Sequence, residues 1–360
     1  MEQDKHFAAL DGLRGFAAVS VVIFHIGHWL DRPTLAANAG LAVDLFFCLS
    51  GYVLALAYGK RLGSTLSAFA FIRLRLIRLM PLIVLGTIVS AAYALIRACV
   101  KHEELTAAAL GTALAFGLLN IPYFGAPKCL GGPQIFPLNG PQYTLFLELF
   151  VNAAWSFSRR LSEPKAAILT AAACFLFLPF GMGGDTAETF WSGFPRVGAS
   201  FFAGVAVFHI ERRFALHLFR MPVFWLLTAA MAALFYFPRP LAMPFLLLWV
   251  GLISPLLVLT GARTKLTGYL RRVALFGGEI SYPVYALHYP LFCWVNGLYQ
   301  AAGAPQRLAI EGPLILASVL TGSYLAVRIY DAPLRRCLGH LWMSALAPSS
   351  EGVLRGRQAS

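Results

Sequence analysis

Apolar runs of roughly 17–25 residues recur from one end of the chain to the other. They lie near 9–30, 41–58, 79–98, 105–121, 142–158, 166–182, 192–210, 222–237, 243–261, 279–300 and 309–328. Runs of this length, without the strict alternation of barrel strands, predict membrane-crossing helices. The polar breaks between them are short and no internal repeat appears. The pattern therefore predicts one membrane domain over 1–338 and a short polar tail over 339–360. Ala37-Asn38-Ala39 offers a small-x-small cleavage site, which would suit a signal peptide. Against that, Met1–His6 has mixed charge, and Arg14, His25 and His28 interrupt the first apolar run. The run is read as an uncleaved first span.

Basic residues fix the direction of the spans. They cluster at Lys60 and Arg61 with Arg73, Arg75 and Arg78; at Arg159, Arg160 and Lys165; at Arg212, Arg213 and Arg220; at Arg263, Lys265, Arg271 and Arg272; and at Arg328, Arg335 and Arg336. Cytoplasmic loops carry such excesses. If all eleven runs crossed, Arg159, Arg160 and Lys165 would fall outside. Treating 105–121 as a re-entrant or outer-surface helix brings every cluster to the cytoplasm. The expected fold is therefore an all-α integral membrane protein with about ten transmembrane helices plus that extra helix, both termini cytoplasmic. Cys99 and Cys129 then share the outer segment, where a disulfide or two free thiols both fit.

Composition agrees. Hydrophobic residues make up 59% of the chain and charged residues 12%, with mean hydropathy +0.70. Soluble domains average about 25% charged residues, so this surface cannot be covered by water. The net charge of +13 is accounted for by topology, and no nucleic-acid partner is expected. The six cysteines show no Cys-x-x-Cys spacing, so no metal site follows.

Ionisable residues at membrane depth are costly and mark functional sites by default. Arg14 and His25 are eleven positions apart, which puts them on one stripe of the first helix about 16 Å apart along its axis. Arg14 would sit at the cytoplasmic rim and His25 in the outer half, with His28 nearing the interface beside Trp29 and Asp31. Asp44 and Glu148 lie on spans that enter from outside, so both are expected near the level of the histidines. Two imidazoles and two carboxylates there suit general-base chemistry with an oriented imidazole. Arg73, Arg75 and Arg78, with Arg14, suit a phosphate-bearing ligand on the inner side, because guanidinium forks match phosphate oxygens. Plain orientation of the helices explains the same arginines. Glu279 falls near the inner face. His288 falls near mid-membrane one turn after Tyr285, where a structural contact and a catalytic one are equally open.

Read together, these blocks resemble the membrane acyltransferase-3 family of bacterial cell-surface acyltransferases. DGLRGFAAVSVVIFH, VDLFFCLSGY, RLRLIRLMP, GEISYPVYALH and YDAPLRRCL occur in order between residues 7 and 338. The resemblance implies acyl transfer, often of acetyl from acetyl-CoA as co-substrate, to a hydroxyl of a lipopolysaccharide, exopolysaccharide, peptidoglycan unit or small metabolite. It implies a bacterial inner-membrane location, contact with membrane lipid, and no metal. By similarity His25 is the catalytic candidate with Arg14 its motif partner, and Asp44, Arg73, Arg75, Arg78 and Glu148 are supporting positions. Where the family usually reads Trp-Ser-Leu ahead of the glutamate, this chain has Tyr143-Thr144-Leu145. The short stretch after Asp331 fits the form without an appended esterase-like domain.

The expected reaction carries an acyl group from cytoplasmic acyl-CoA to an outward-facing hydroxyl, with His25 as general base, oriented by Asp44 or Glu148, or as acyl relay. A polytopic transporter or flippase of a surface polysaccharide precursor is the alternative, but such proteins commonly carry internal symmetry and paired broken helices. The other large class of membrane O-acyltransferases also uses an intramembrane His, without a His–Arg pair on the first span. A scaffold role would leave the intramembrane polar residues exchangeable. Soluble-enzyme nucleophile elbows, metalloprotease motifs and P-loops are absent from the sequence.

Overall fold

A computed structural model describes residues 7–213 and 221–346. Among these the chain is all-helical, with only isolated bridges at Leu62–Leu66 and Gln134–Thr186. The helices are α1 (Ala8–Trp29), α2 (Ala42–Tyr58), α3 (Ala68–Lys101), α4 (Ala107–Leu118), α5 (Gln142–Phe157), α6 (Pro164–Phe175), α7 (Gly193–Arg213), α8 (Met221–Phe235), α9 (Met243–Leu248), α10 (Ser254–Arg263), α11 (Gly268–Ala301), α12 (Leu308–Ala326) and α13 (Ala332–Leu346). π-helical turns at Trp249–Ile253 and Val327–Asp331 join α9 to α10 and α12 to α13. The tail expected from 339 thus begins inside α13, and its last residues lie outside the described chain.

Six helices among the described residues are long and apolar enough to cross a membrane: Ala8–Trp29, Ala39–Tyr58, Ala68–Lys101, Phe190–Arg213, Met243–Arg263 and Leu308–Leu341. Three shorter apolar helices accompany them. Hydrophobic side chains line their outer surfaces, with Leu169, Leu226, Ile310 and Val100 all exposed. A water-soluble protein would bury such residues; a bilayer solvates them.

Helix directions are legible from which ends touch. On α1 and α11, His25 meets His288 and Trp29 meets Phe292, while a Cβ on Gly15 would lie 2.7 Å from the Cα of Gly277. These two helices therefore run parallel in constant register. The α3–α11 pair is parallel too, with Tyr282 donating to the carbonyl of Leu79 and Trp294 to that of Val89. So is the α2–α7 pair, where Arg196 meets Asp44 near one end and Glu211 meets Tyr52 near the other. There Gly51 and Gly204 let the backbones touch, since a Cβ on either would strike a carbonyl oxygen of the other helix (Phe201 or Cys48). Small residues at such crossings are the usual means of close packing in lipid.

α5 runs antiparallel to α3: Gln142 meets Thr87, and Glu148, further along α5, meets Arg75, further back along α3. The chain between α3 and α5 therefore returns to the side from which it left. α4, twelve residues long, spans about 18 Å and is too short for a bilayer of about 30 Å. Ser67 and Thr106 cap α3 and α4 by accepting from the backbone N–H of Ala70 and Ala109. The non-helical stretch before α5 sinks into the bundle. Its Asn139 donates to the carbonyl of Ala286, and Gln142 donates to the carbonyl of Gly117 and to Asn120. Irregular backbone at membrane depth needs such protein partners. Cys99 and Cys129 are both free thiols.

Candidate active site

A cavity of ≈ 140 Å³ opens among α1, α2, α3, α5 and α11. Arg14, Ser50, Arg75, Arg78, Glu148 and Tyr282 supply its polar wall, and Val43, Phe46, Phe47 and Leu145 its apolar one. Arg75, buried, donates to Glu148 Oε1 at 2.6 Å, and Ser50 donates to the same oxygen at 3.1 Å. Arg14 is steadied by Asp11 one turn back, at 3.6 Å. Arg78 is exposed at the mouth. Arg73, two residues before Arg75, points some 200° away around α3 and lies exposed, apart from the cavity lining. At the far end the Tyr285 hydroxyl shares a 2.8 Å hydrogen bond with Thr144. Thr144 in turn donates to the carbonyl of Pro141, so its hydroxyl accepts from the tyrosine. Phe46 meets the edge of the Tyr285 ring at 5.6 Å, and the two rings close the cavity there.

One helical turn beyond Tyr285 lies a group of rings. His25 stacks on Trp29 (4.9 Å between centroids) and faces His288 (5.0 Å), while Trp29 stacks on Phe292. His288 is 1% exposed, and its Nδ1 lies 2.7 Å from the carbonyl oxygen of Tyr285. His28 is exposed and stacks on Phe24.

Two expectations from sequence are corrected here. Asp44 was expected to orient His25. Its carboxylate instead accepts two hydrogen bonds from Arg196, at 2.9 and 2.8 Å, and a third from Ser200. The helical period decides this: Val43, Phe46 and Ser50 turn to the cavity, and Asp44, Cys48 and Gly51 turn to α7. Glu148 was expected near the outer histidines. Because the stretch before α5 is sunk to the level of Ala286, Glu148 lies deeper, beside Arg75 and Arg14. Both carboxylates hold arginines, and the rings around His25 include Phe24, Trp29 and His288.

Arg196 was overlooked by the sequence reading, although an arginine inside the apolar run GFPRVGAS is itself a signal of a buried partner. It also donates to the carbonyls of Met182 and Gly40, tying α2 and α7 to the 176–192 connection. The Tyr285–His288 contact runs through the tyrosine's backbone carbonyl, a partner that sequence spacing does not reveal.

The acyltransferase-domain family matches residues 7–328 of the chain. The chain belongs to the acyltransferase-3 family. Among curated relatives of this family member, Protein 2 in the picA locus of Rhizobium radiobacter is 37% identical over 177 residues, covering 47% of this chain and 90% of that protein. The putative peptidoglycan O-acetyltransferase YrhL of Bacillus subtilis (strain 168) is 36% identical over 97 residues, 24% of this chain and 14% of that longer protein. No solved structure matches. An acyltransferase of this family needs a group to manage a proton and a place for an acyl donor, and the two features above are the candidates. No cluster of His, Cys, Asp or Glu suited to a metal ion occurs among the described residues.

Proposed function

We propose that this acyltransferase moves an acyl group, acetyl in the simplest case, from cytoplasmic acyl-CoA to a hydroxyl of a cell-surface glycan or glycolipid. The protein sits in a bacterial inner membrane with ten crossings, both termini cytoplasmic and α4 on the outer side. Parallel α1, α3 and α11, parallel α2 and α7, and antiparallel α3 and α5 all fit that alternation. The observation that carries the reading is the placement of the arginine-walled cavity: it starts at Arg14, Arg75 and Arg78 and ends one helical turn short of His25.

In this reading Arg78 attracts donor phosphates at the cytoplasmic mouth, while Arg14 and Arg75 line the way inward. Glu148 keeps the Arg75 guanidinium in place, and Asp44 fixes α7 against α2 through Arg196. Small cavity volume favours a short acyl group. The Phe46–Tyr285 pair must part for a thioester to reach His25. His25 then takes the acceptor hydroxyl's proton as the new C–O bond forms, and passes it to the departing thiolate as the C–S bond breaks. Its position beside exposed His28 leaves the outer side as the acceptor's approach.

The test is acyl transfer from labelled acetyl-CoA by the purified protein in lipid, with cell-envelope glycan as acceptor. His25→Ala should abolish transfer while the protein remains folded in the membrane. Transfer retained by that variant would overturn the assignment. A transporter would move a glycan precursor and leave acetyl-CoA intact.

A further inference from the structure

Asp44 and Glu148 are taken up by Arg196 and Arg75, yet a general base must be held so that it presents a bare ring nitrogen to the hydroxyl it activates. His288 carries the features of such a holder. It comes from α11, which runs parallel to α1, so the two imidazoles meet at one level with centroids 5.0 Å apart. Its Nδ1 lies 2.7 Å from the Tyr285 carbonyl oxygen. A carbonyl only accepts, so Nδ1 carries a proton, and in the neutral ring Nε2 is then a lone-pair acceptor. That Nε2 is buried and has no hydrogen-bond partner among the described residues. An unmet buried acceptor is costly, and such a group asks for a donor.

We infer that His288 is the positioning residue of His25: its Nε2 accepts the N–H of the His25 ring, which leaves the other His25 nitrogen bare toward the acceptor hydroxyl. A small rotation of the half-buried His25 ring brings its N–H to that lone pair. The order is then Tyr285 carbonyl, His288, His25, acceptor hydroxyl, each accepting from the next. When His25 takes the hydroxyl proton, His288 stabilises the resulting imidazolium through the same bond. This rests on the reading of His25 as the base, and it puts a backbone-anchored imidazole where a carboxylate was expected.

Three substitutions of His288 separate positioning from packing. His288→Asn retains a donor for the Tyr285 carbonyl but has nothing at the Nε2 position. His288→Gln carries an amide oxygen at that position. His288→Leu has neither. Each is assayed in the full-length protein in lipid, with transfer normalised to folded protein and thermal midpoint measured alongside. The inference expects kcat to fall on the order of 10²-fold or more in Asn and Leu, with KM for acetyl-CoA within about threefold of wild type. Gln should recover at least about tenfold of that loss. Equal kcat in Asn and Gln, wild-type kcat in Leu, or a loss confined to KM would each overturn it. His25→Ala, run in parallel, keeps the two readings apart. If it is inactive while His288→Leu retains wild-type kcat, the positioning role falls and the base assignment stands.

Discussion

Asp44 tests most sharply whether a buried carboxylate beside a reaction site is chemistry or scaffold. It is fully buried, and its partner Arg196 is 8% exposed. The pair is bidentate at 2.9 and 2.8 Å. Asp44→Asn keeps the shape but leaves a buried guanidinium without its counter-charge. Removing one partner of a buried pair costs about 3–5 kcal/mol. Heating is expected to lower the apparent midpoint on the order of 5–10 °C, compared at one scan rate because unfolding from lipid or detergent is seldom reversible. The paired change Asp44→Leu with Arg196→Met removes both charges. It orphans the carbonyls of Met182 and Gly40 that Arg196 serves, so about 1–3 kcal/mol of the loss should remain. If Asp44 is scaffold, the double variant recovers most of the stability and transfers acyl groups within about tenfold of wild type per folded molecule, a margin of about 1.4 kcal/mol. A double variant that folds stably yet is as inactive as His25→Ala would refute this, as would an Asp44→Asn midpoint that does not move.

Other outcomes follow from the same geometry. Arg78→Gln, at the exposed mouth, should raise KM for acetyl-CoA on the order of tenfold and leave kcat nearly unchanged, the signature of lost uniform binding; a purely kcat effect would argue against a docking role. Gly15→Val drives a side chain into the backbone of Gly277 and should lower stability by about 1–3 kcal/mol, measured as loss of folded protein on heating. In intact cells, a membrane-impermeant maleimide should label exposed Cys99 and spare Cys337, which reacts only in inverted vesicles; Cys48, buried between α2 and α7, should resist both. Labelling of Cys337 from outside would reverse the proposed topology.

The all-helical, apolar character of the fold was legible because hydropathy is a local, additive signal, and the run that broke the alternation of basic loops holds the short α4. The side-chain partners of the site were less so. Counting residues from the outer end of a span gives depth only where the helix starts at the membrane surface. α5 violates this because Asn139 and Gln142 anchor its start inside the bundle, and Glu148 is displaced toward Arg75 accordingly. The Asp44 reading failed for a different reason. Level alone does not choose a partner, and two residues on a helix can differ by 200° in direction. Arg196 carried the missing information, as a buried cation that matches a buried anion on a parallel neighbour.

The α1–α11 pair joins these observations. Toward its inner end the helices meet through Gly12 against Ala274, Gly15 against Gly277 and Gly278 against Asp11, and at Gly15 even a methyl group would strike the facing backbone. Toward the outer end the same two helices meet through His25, Trp29, His288 and Phe292. Parallel register makes this change of size a wedge: backbones touch at one end, and rings hold them apart at the other. Tight glycine packing fixes the rotation of α1, and that rotation decides that Arg14 turns into the cavity and His25 toward His288. A substitution at Gly15 therefore acts on both sites at once, although it touches neither. Loss of transfer in Gly15→Val beyond its loss of folded protein would carry that signature, because a twist of α1 moves an arginine and an imidazole on one stripe by the same angle.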